Sequence, residues 1–202
     1  FASEFKAILA HPEAGREIDF EAIHHYLTYL CIPTPLSAFK KIKKLPAAHI
    51  LVCQNGISSI KKYWEIDFSR KIKITEADAI KELKSLLNEA VKIRLVSDVP
   101  IGVLLSGGID SSCITAVATR LKAGKTHTFS IGFNEEFFNE LPYAKLIADY
   151  FMTDHCQDYV EPNALEVLPE LVERYGEPFA DSSALPTYYL CRIARKNVKV
   201  AL

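Results

Sequence analysis

The chain has 202 residues, 49% of them apolar and 24% charged, and a net charge of −1, which suits one full globular domain or one domain and part of another. So even a balance excludes the basic footprint of a protein whose main partner is nucleic acid or an anionic membrane. No apolar run approaches the roughly 20 residues that cross a bilayer, and five scattered cysteines without a C-x-x-C pair predict reduced thiols in a cytoplasmic protein.

Asp19 is placed to cap a helix whose apolar residues are Phe20, Ile23, Leu27 and Leu30, ended by Pro33 and Pro35. In Lys40, Lys41, Lys43 and Lys44 the charges alternate with Phe39, Ile42 and Leu45, the pattern of the solvated face of a short helix. Ile50 to Cys53, then Asn55-Gly56, then Ile57 to Trp64 predicts a β-hairpin, because Asn-Gly is the preferred two-residue type I′ turn. His24, His25 and His49 lack the spacing of a metal site. Glu65 to Ile74 is polar and reads as a linker. Thr75 and Asp78 then resemble a capping box, opening a helix that places Ile80, Leu83, Leu87, Ala90 and Val91 on one face and ends near Ser97-Asp98.

Ile101 to Leu105 is a short apolar run, as expected of a strand buried on both faces of a parallel sheet. Apolar and small residues recur at helical spacing from Ser112 to Leu121, so Ser106 to Asp110 is the predicted turn from strand to helix. Such a turn gathers unpaired amides at the positive end of a helix dipole, an anion site. Gly107 and Gly108 permit left-handed dihedrals and close approach by a phosphate, and Ser106, Ser111 and Ser112 offer hydroxyls. Asp110 is the discriminating residue: a carboxylate beside phosphates is repulsive unless a divalent cation lies between them, so Mg²⁺ is expected there. Neither the lysine of a G-x-x-x-x-G-K-[ST] loop nor a G-x-G-x-x-G spacing is present.

Thr126 to Phe133 reads as a second strand, Asn134 to Asn139 as a loop, and Pro142 as the first turn of a helix to about Tyr150. His155 to Val160 is a third strand, followed by a helix with Leu165, Leu168, Leu171 and Val172 on its inner face. This alternation predicts an α/β fold with a doubly wound parallel sheet and ligands at the carboxyl ends of the strands. Leu105 and Ile131, at two such ends, are placed to bind a purine through backbone groups or to fill the core. Tyr175 to Pro186 is a polar loop in which Asp181, Ser182 and Ser183 either face a substrate or serve only the turn.

The Ser106 to Ser112 loop resembles the S-G-G-x-D-S loop of the N-type ATP pyrophosphatases, which hold ATP and cleave between its α and β phosphates. Taken with Phe1 to Ala7, the Tyr26-Leu27-Thr28-Tyr29 helix, Tyr63-Trp64 and Glu177 to Ser183, it resembles the glutamine-hydrolysing asparagine synthetases over nearly the whole chain. The resemblance implies a sheet of the adenine-nucleotide α-hydrolase type in residues 65–202, preceded by the α+β tail of a glutaminase domain in residues 1–64. It implies ATP and Mg²⁺ as cofactors, aspartate and glutamine-derived ammonia as substrates, β-aspartyl-AMP as the intermediate, and a homodimer at full length. Ser106, Gly107, Gly108, Ser111 and Ser112 would hold phosphates, Asp110 would hold Mg²⁺, and Leu105 and Ile131 would contact adenosine. The family's N-terminal Cys nucleophile, second phosphate loop and downstream Lys do not stand in this sequence. Phe1 at the start and a strand-like Lys199 to Leu202 at the end predict a piece of a longer polypeptide, inactive alone. Two other readings stay open: a related ligase amidating another carboxylate, on a cell-surface sugar or a peptide, and a non-catalytic nucleotide-binding module.

Overall fold

A computed structural model describes residues 1–202 except 123, 136, 138 and 162. The chain divides into two compact units, residues 1–72 with 165–182 and residues 73–164 with 183–202.

The first unit holds α1 (Phe5–Leu9), α2 (Phe20–Tyr29), and the hairpin β1 (His49–Gln54) and β2 (Ile57–Lys62). Asp19 caps α2 as expected, accepting from the Ala22 amide at 3.1 Å. The face that packs is nevertheless rotated from the predicted one. Ala22 is buried with Ile32 and Ala38, flanked by Ile23 and Tyr26, whereas Phe20, Leu27 and Leu30 are exposed. Small Ala22 lets the turn at 32–39 approach closely, which the larger residues would prevent. The hairpin turns through Asn55 and Gly56 at φ 53° and 77°, the type I′ geometry its sequence predicts.

The lysine-rich stretch is not a helix. Its chain folds into turns around Ser37, which is fully buried and donates to the Ile42 carbonyl at 2.7 Å while accepting from the Phe39 amide. Lys44 is drawn inward, 2.6 Å from Glu177. The last part of this unit, residues 165–182, opens on α6 (Ala164–Tyr175), whose buried residues are Val167 and Leu171. Leu165, Leu168 and Val172 of the predicted inner face are exposed.

The second unit contains α3 (Glu76–Arg94), β3 (Ile101–Leu104), α4 (Ile109–Leu121), β4 (His127–Gly132), α5 (Leu141–Tyr150), β5 (Asp154–Tyr159), α7 (Ala184–Ala194) and β6 (Val200–Ala201). Within the expected loop 134–139, residues 136 and 138 lie outside the described ones. The four strands are parallel in the order β5-β4-β3-β6. Two crossovers run from β3 outward to β5, and the return places β6 on the far side of β3. The carboxyl end of β3 is therefore a topological switch point, where open α/β sheets form their ligand crevice.

Helices cover both faces, as in a doubly wound sheet. Val103 packs with Val91 of α3 and with Val117 and Ala118 of α4, Leu105 packs with Ala144 and Ala148 of α5, and Phe129 packs with Ile193 and Ala194 of α7. Thr75 caps α3 in its own manner: its Oγ1 accepts from the Asp78 amide at 3.2 Å and donates to the Asp78 carboxylate at 2.7 Å. The helix buries only Val91, with Leu87 half-buried beside it, and leaves Ile80 and Leu83 exposed. It stops at Arg94, before the predicted end.

Candidate active site

The turn after β3 is shorter than its sequence suggests. Helix α4 begins at Ile109, so Asp110, Ser111 and Ser112 occupy its first turn and the loop proper is Leu105 to Gly108. Gly108 is the N-cap, with φ −68° and ψ 163°, and no side chain caps it. The amides of Ile109, Asp110 and Ser111 therefore have no acceptor within the helix, and they point out of its positive end.

Only Gly107 of the two glycines is left-handed, at φ +85°. A Cβ there would lie 2.5 Å from the Ala144 amide nitrogen and 2.6 Å from the Tyr143 carbonyl carbon. The loop thus rests directly on the backbone of the first turn of α5. Gly108 is extended, and a Cβ on it would meet only Ser106 Oγ, at 3.3 Å.

The hydroxyls bind the loop to itself. Ser106 Oγ accepts from the Gly108 amide at 3.2 Å and lies 3.0 Å from Ser111 Oγ, which accepts from the Ser106 amide at 3.3 Å. Ser112 Oγ donates to the Gly108 carbonyl at 2.7 Å, and Ser111 Oγ does so at 3.2 Å. Asp110 is exposed at the helix start. Among the described residues no group of three or more His, Cys, Asp or Glu side chains could hold a metal. One carboxylate beside an anion cradle still fits Mg²⁺, which prefers one or two carboxylates completed by substrate phosphates and water.

Leu105 is buried, its amide bonded to the Phe129 carbonyl at 2.9 Å and its carbonyl accepting from Ser130 Oγ. Ile131, half-buried one strand over, packs against the Phe129 cluster. These two thus stand at neighbouring strand ends, together with the phosphate-type loop. Ser130 is a residue the sequence reading missed. Its signal was present in the alternation Thr126, Thr128, Ser130, a stripe of polar residues running from just before β4 along one of its faces, all buried. Asp181 and Ser182 are exposed in the first unit, and Ser183 precedes α7 in the second. Helix α7 starts at Ala184, so the predicted loop to Pro186 ends at Ser183.

A family model described as asparagine synthase matches residues 82–202. The chain belongs to the asparagine synthase family. A second model, described as a glutamine amidotransferase domain, matches residues 1–64. The putative glutamine-hydrolysing asparagine synthetase 2 of Methanocaldococcus jannaschii is 41% identical across all of this chain, which covers 40% of that protein. Asparagine synthetase 1 of Bacillus subtilis is 32% identical, again across all of this chain and over 32% of its own length. Asparagine synthetase B of Escherichia coli is 32% identical over 81% of this chain and 32% of its own. The chain thus spans two fifths or less of these relatives. Among the described residues, no helix is long and apolar enough to cross a membrane, and all five cysteines are free.

Proposed function

We propose that this chain is part of an ATP-dependent, glutamine-using asparagine synthetase, with residues 1–64 the tail of the glutaminase domain and residues 65–202 the first part of the synthetase domain. The observation that carries the reading is the uncapped start of α4 at the switch point of the sheet, with Asp110 in its first turn.

The chemistry this site would serve is carboxylate activation. A carboxylate is a poor acyl donor, because its own oxygen is a poor leaving group. An oxygen of the aspartate side chain attacks the α-phosphorus of ATP, the bond to the β-phosphate oxygen breaks, and pyrophosphate departs. Ammonia then attacks the acyl carbon, AMP leaves, and a proton is lost to solvent. The free amides of Ile109, Asp110 and Ser111 meet the charge that builds on the departing pyrophosphate, a preorganised stabilisation that requires no reorientation during reaction. Ser106, Ser111 and Ser112 can each turn a hydroxyl from a partner within the loop to a phosphate oxygen. Asp110 would hold Mg²⁺, which supplies neutralisation of phosphate charge. Leu105 and Ile131 would border the adenosine, and Asp181, Ser182 and Ser183 would contact the amino-acid substrate.

The test is exchange of labelled pyrophosphate into ATP by the full-length protein. Exchange that requires both aspartate and Mg²⁺, and that is lost in Asp110→Ala, is the expected result. Exchange supported by a different carboxylate would assign a sibling ligase, and ATP binding without exchange for any carboxylate would favour a nucleotide-binding module.

A further inference from the structure

Within the first unit, a charged contact joins stretches that match two different families. Glu177, in the part matching asparagine synthase, places Oε1 2.6 Å from the Lys44 ammonium, and its Oε2 accepts from the Ala38 amide at 3.2 Å. Lys44 and Ala38 lie in the part matching the glutamine amidotransferase. The ammonium also donates to the Ile32 carbonyl at 2.7 Å. Side-chain exposures of 24% for Lys44 and 15% for Glu177 keep solvent screening low, so this pair differs from the exposed ion pairs elsewhere on the chain.

Packing extends the contact on both sides of Glu177. At Gly176, where φ is +69°, the Cβ position lies 3.2 Å from Phe5 Cβ, and the Phe5 ring in turn meets Phe39 at 6.0 Å. Tyr175 and Phe179 stack at 4.2 Å with an interplanar angle of 13°, closing the turn across Glu177. Residues 175–179 are thereby held on Phe5, Ala38 and Lys44, and Pro178 stiffens the step from there toward Asp181 and Ser182.

We propose that Glu177 and Lys44 are a positioning pair through which the amidotransferase-matching segment sets the loop bearing Asp181 and Ser182, and so the affinity for the carboxylate substrate. The proposal rests on the reading above in which that loop faces the substrate. Neither residue touches reacting atoms. A carboxylate with both oxygens engaged and an ammonium with two acceptors define a geometry that an apolar contact of equal area would leave loose.

The experiment uses the full-length protein with Lys44→Met, Glu177→Gln, the double variant, and Lys44→Arg as the conservative rescue. Two readouts are taken: amide hydrogen exchange across residues 178–183, and kcat and KM for aspartate with ammonia as nitrogen source. Loss of a charge-assisted bond predicts roughly ten-fold faster exchange in 178–183 and a similar rise in aspartate KM. The expected kcat and ATP KM stay within about two-fold of the unmodified protein, since binding rather than the chemical step is perturbed. The double variant should match either single one, the signature of a coupled pair, and Lys44→Arg should restore most of the loss. Unchanged exchange in 178–183, additive single effects, or a fall in kcat at constant KM would each overturn the pair's role. Exchange that responds as expected in a protein lacking aspartate-dependent turnover would retain the positioning pair and refute the substrate reading instead.

Discussion

Replacing Gly107 by Ala tests whether the phosphate-type loop depends on its seat against α5. The residue sits at φ +85°, where a Cβ costs about 1–2 kcal/mol. The added methyl would also lie 2.5–2.6 Å from Ala144 N and from Tyr143 C and Cβ. Two of those atoms are backbone and cannot swing aside, so overpacking adds about 1–3 kcal/mol. The sum, about 2–5 kcal/mol, is a large share of the 5–15 kcal/mol that typically holds a domain together. Gly124 supplies the control in the same unit. Its φ is +87° with nothing within 4 Å of a Cβ, so Gly124→Ala should lose only the conformational part, about 1–2 kcal/mol. Urea unfolding followed by far-UV circular dichroism measures both losses, and ATP titration should show weakening of ten-fold or more for Gly107→Ala alone. Equal destabilisation by the two variants would refute the claim that the loop rests on the α5 backbone.

Other outcomes follow from the same geometry. Asp110→Ala should bind ATP with little dependence on Mg²⁺, whereas titration of the unmodified protein should tighten as Mg²⁺ is added. Burial pushes the His155 pKa below its ordinary 6.5, and the Lys145 charge acts in the same direction. In the unfolded chain this histidine takes a proton at higher pH than in the folded one, so stability falls as pH drops through 6.5 and the loss is complete below the folded pKa. Unfolding free energies across that window should therefore slope upward with pH, and His155→Gln should flatten the slope. Thr75→Ala removes the acceptor for the Asp78 amide, an expected loss of about 1 kcal/mol in urea unfolding.

Local chemistry was legible wherever neighbours in sequence decide the outcome. The Asn55-Gly56 turn, the Asp19 and Thr75 caps and the strand-loop-helix around Ser106 are settled within a few residues, by backbone dihedrals and by side chains reaching amides two or three positions away. The alternation after residue 99 also implied a parallel sheet, because parallel strands need long crossover connections and the intervening helices supply them. Helix faces were less legible. On α2, α3 and α6 several apolar positions lie exposed while Ala22, Val91 and Val167 are buried, because the buried stripe is chosen by the shape of what packs against it rather than by hydrophobicity alone.

What the amino-acid sequence determined by itself is the loop, its residue types and its place between a strand and a helix, since steric and hydrogen-bonding rules act over that short range. Only the tertiary structure decided that β6 returns beside β3 to make the switch point, that Gly107 and not Gly108 is left-handed, and that Lys44 meets Glu177 across 133 residues of chain. Each of these depends on surfaces brought together from distant parts of the chain, where loop closure and close packing select among arrangements that local preference leaves equal.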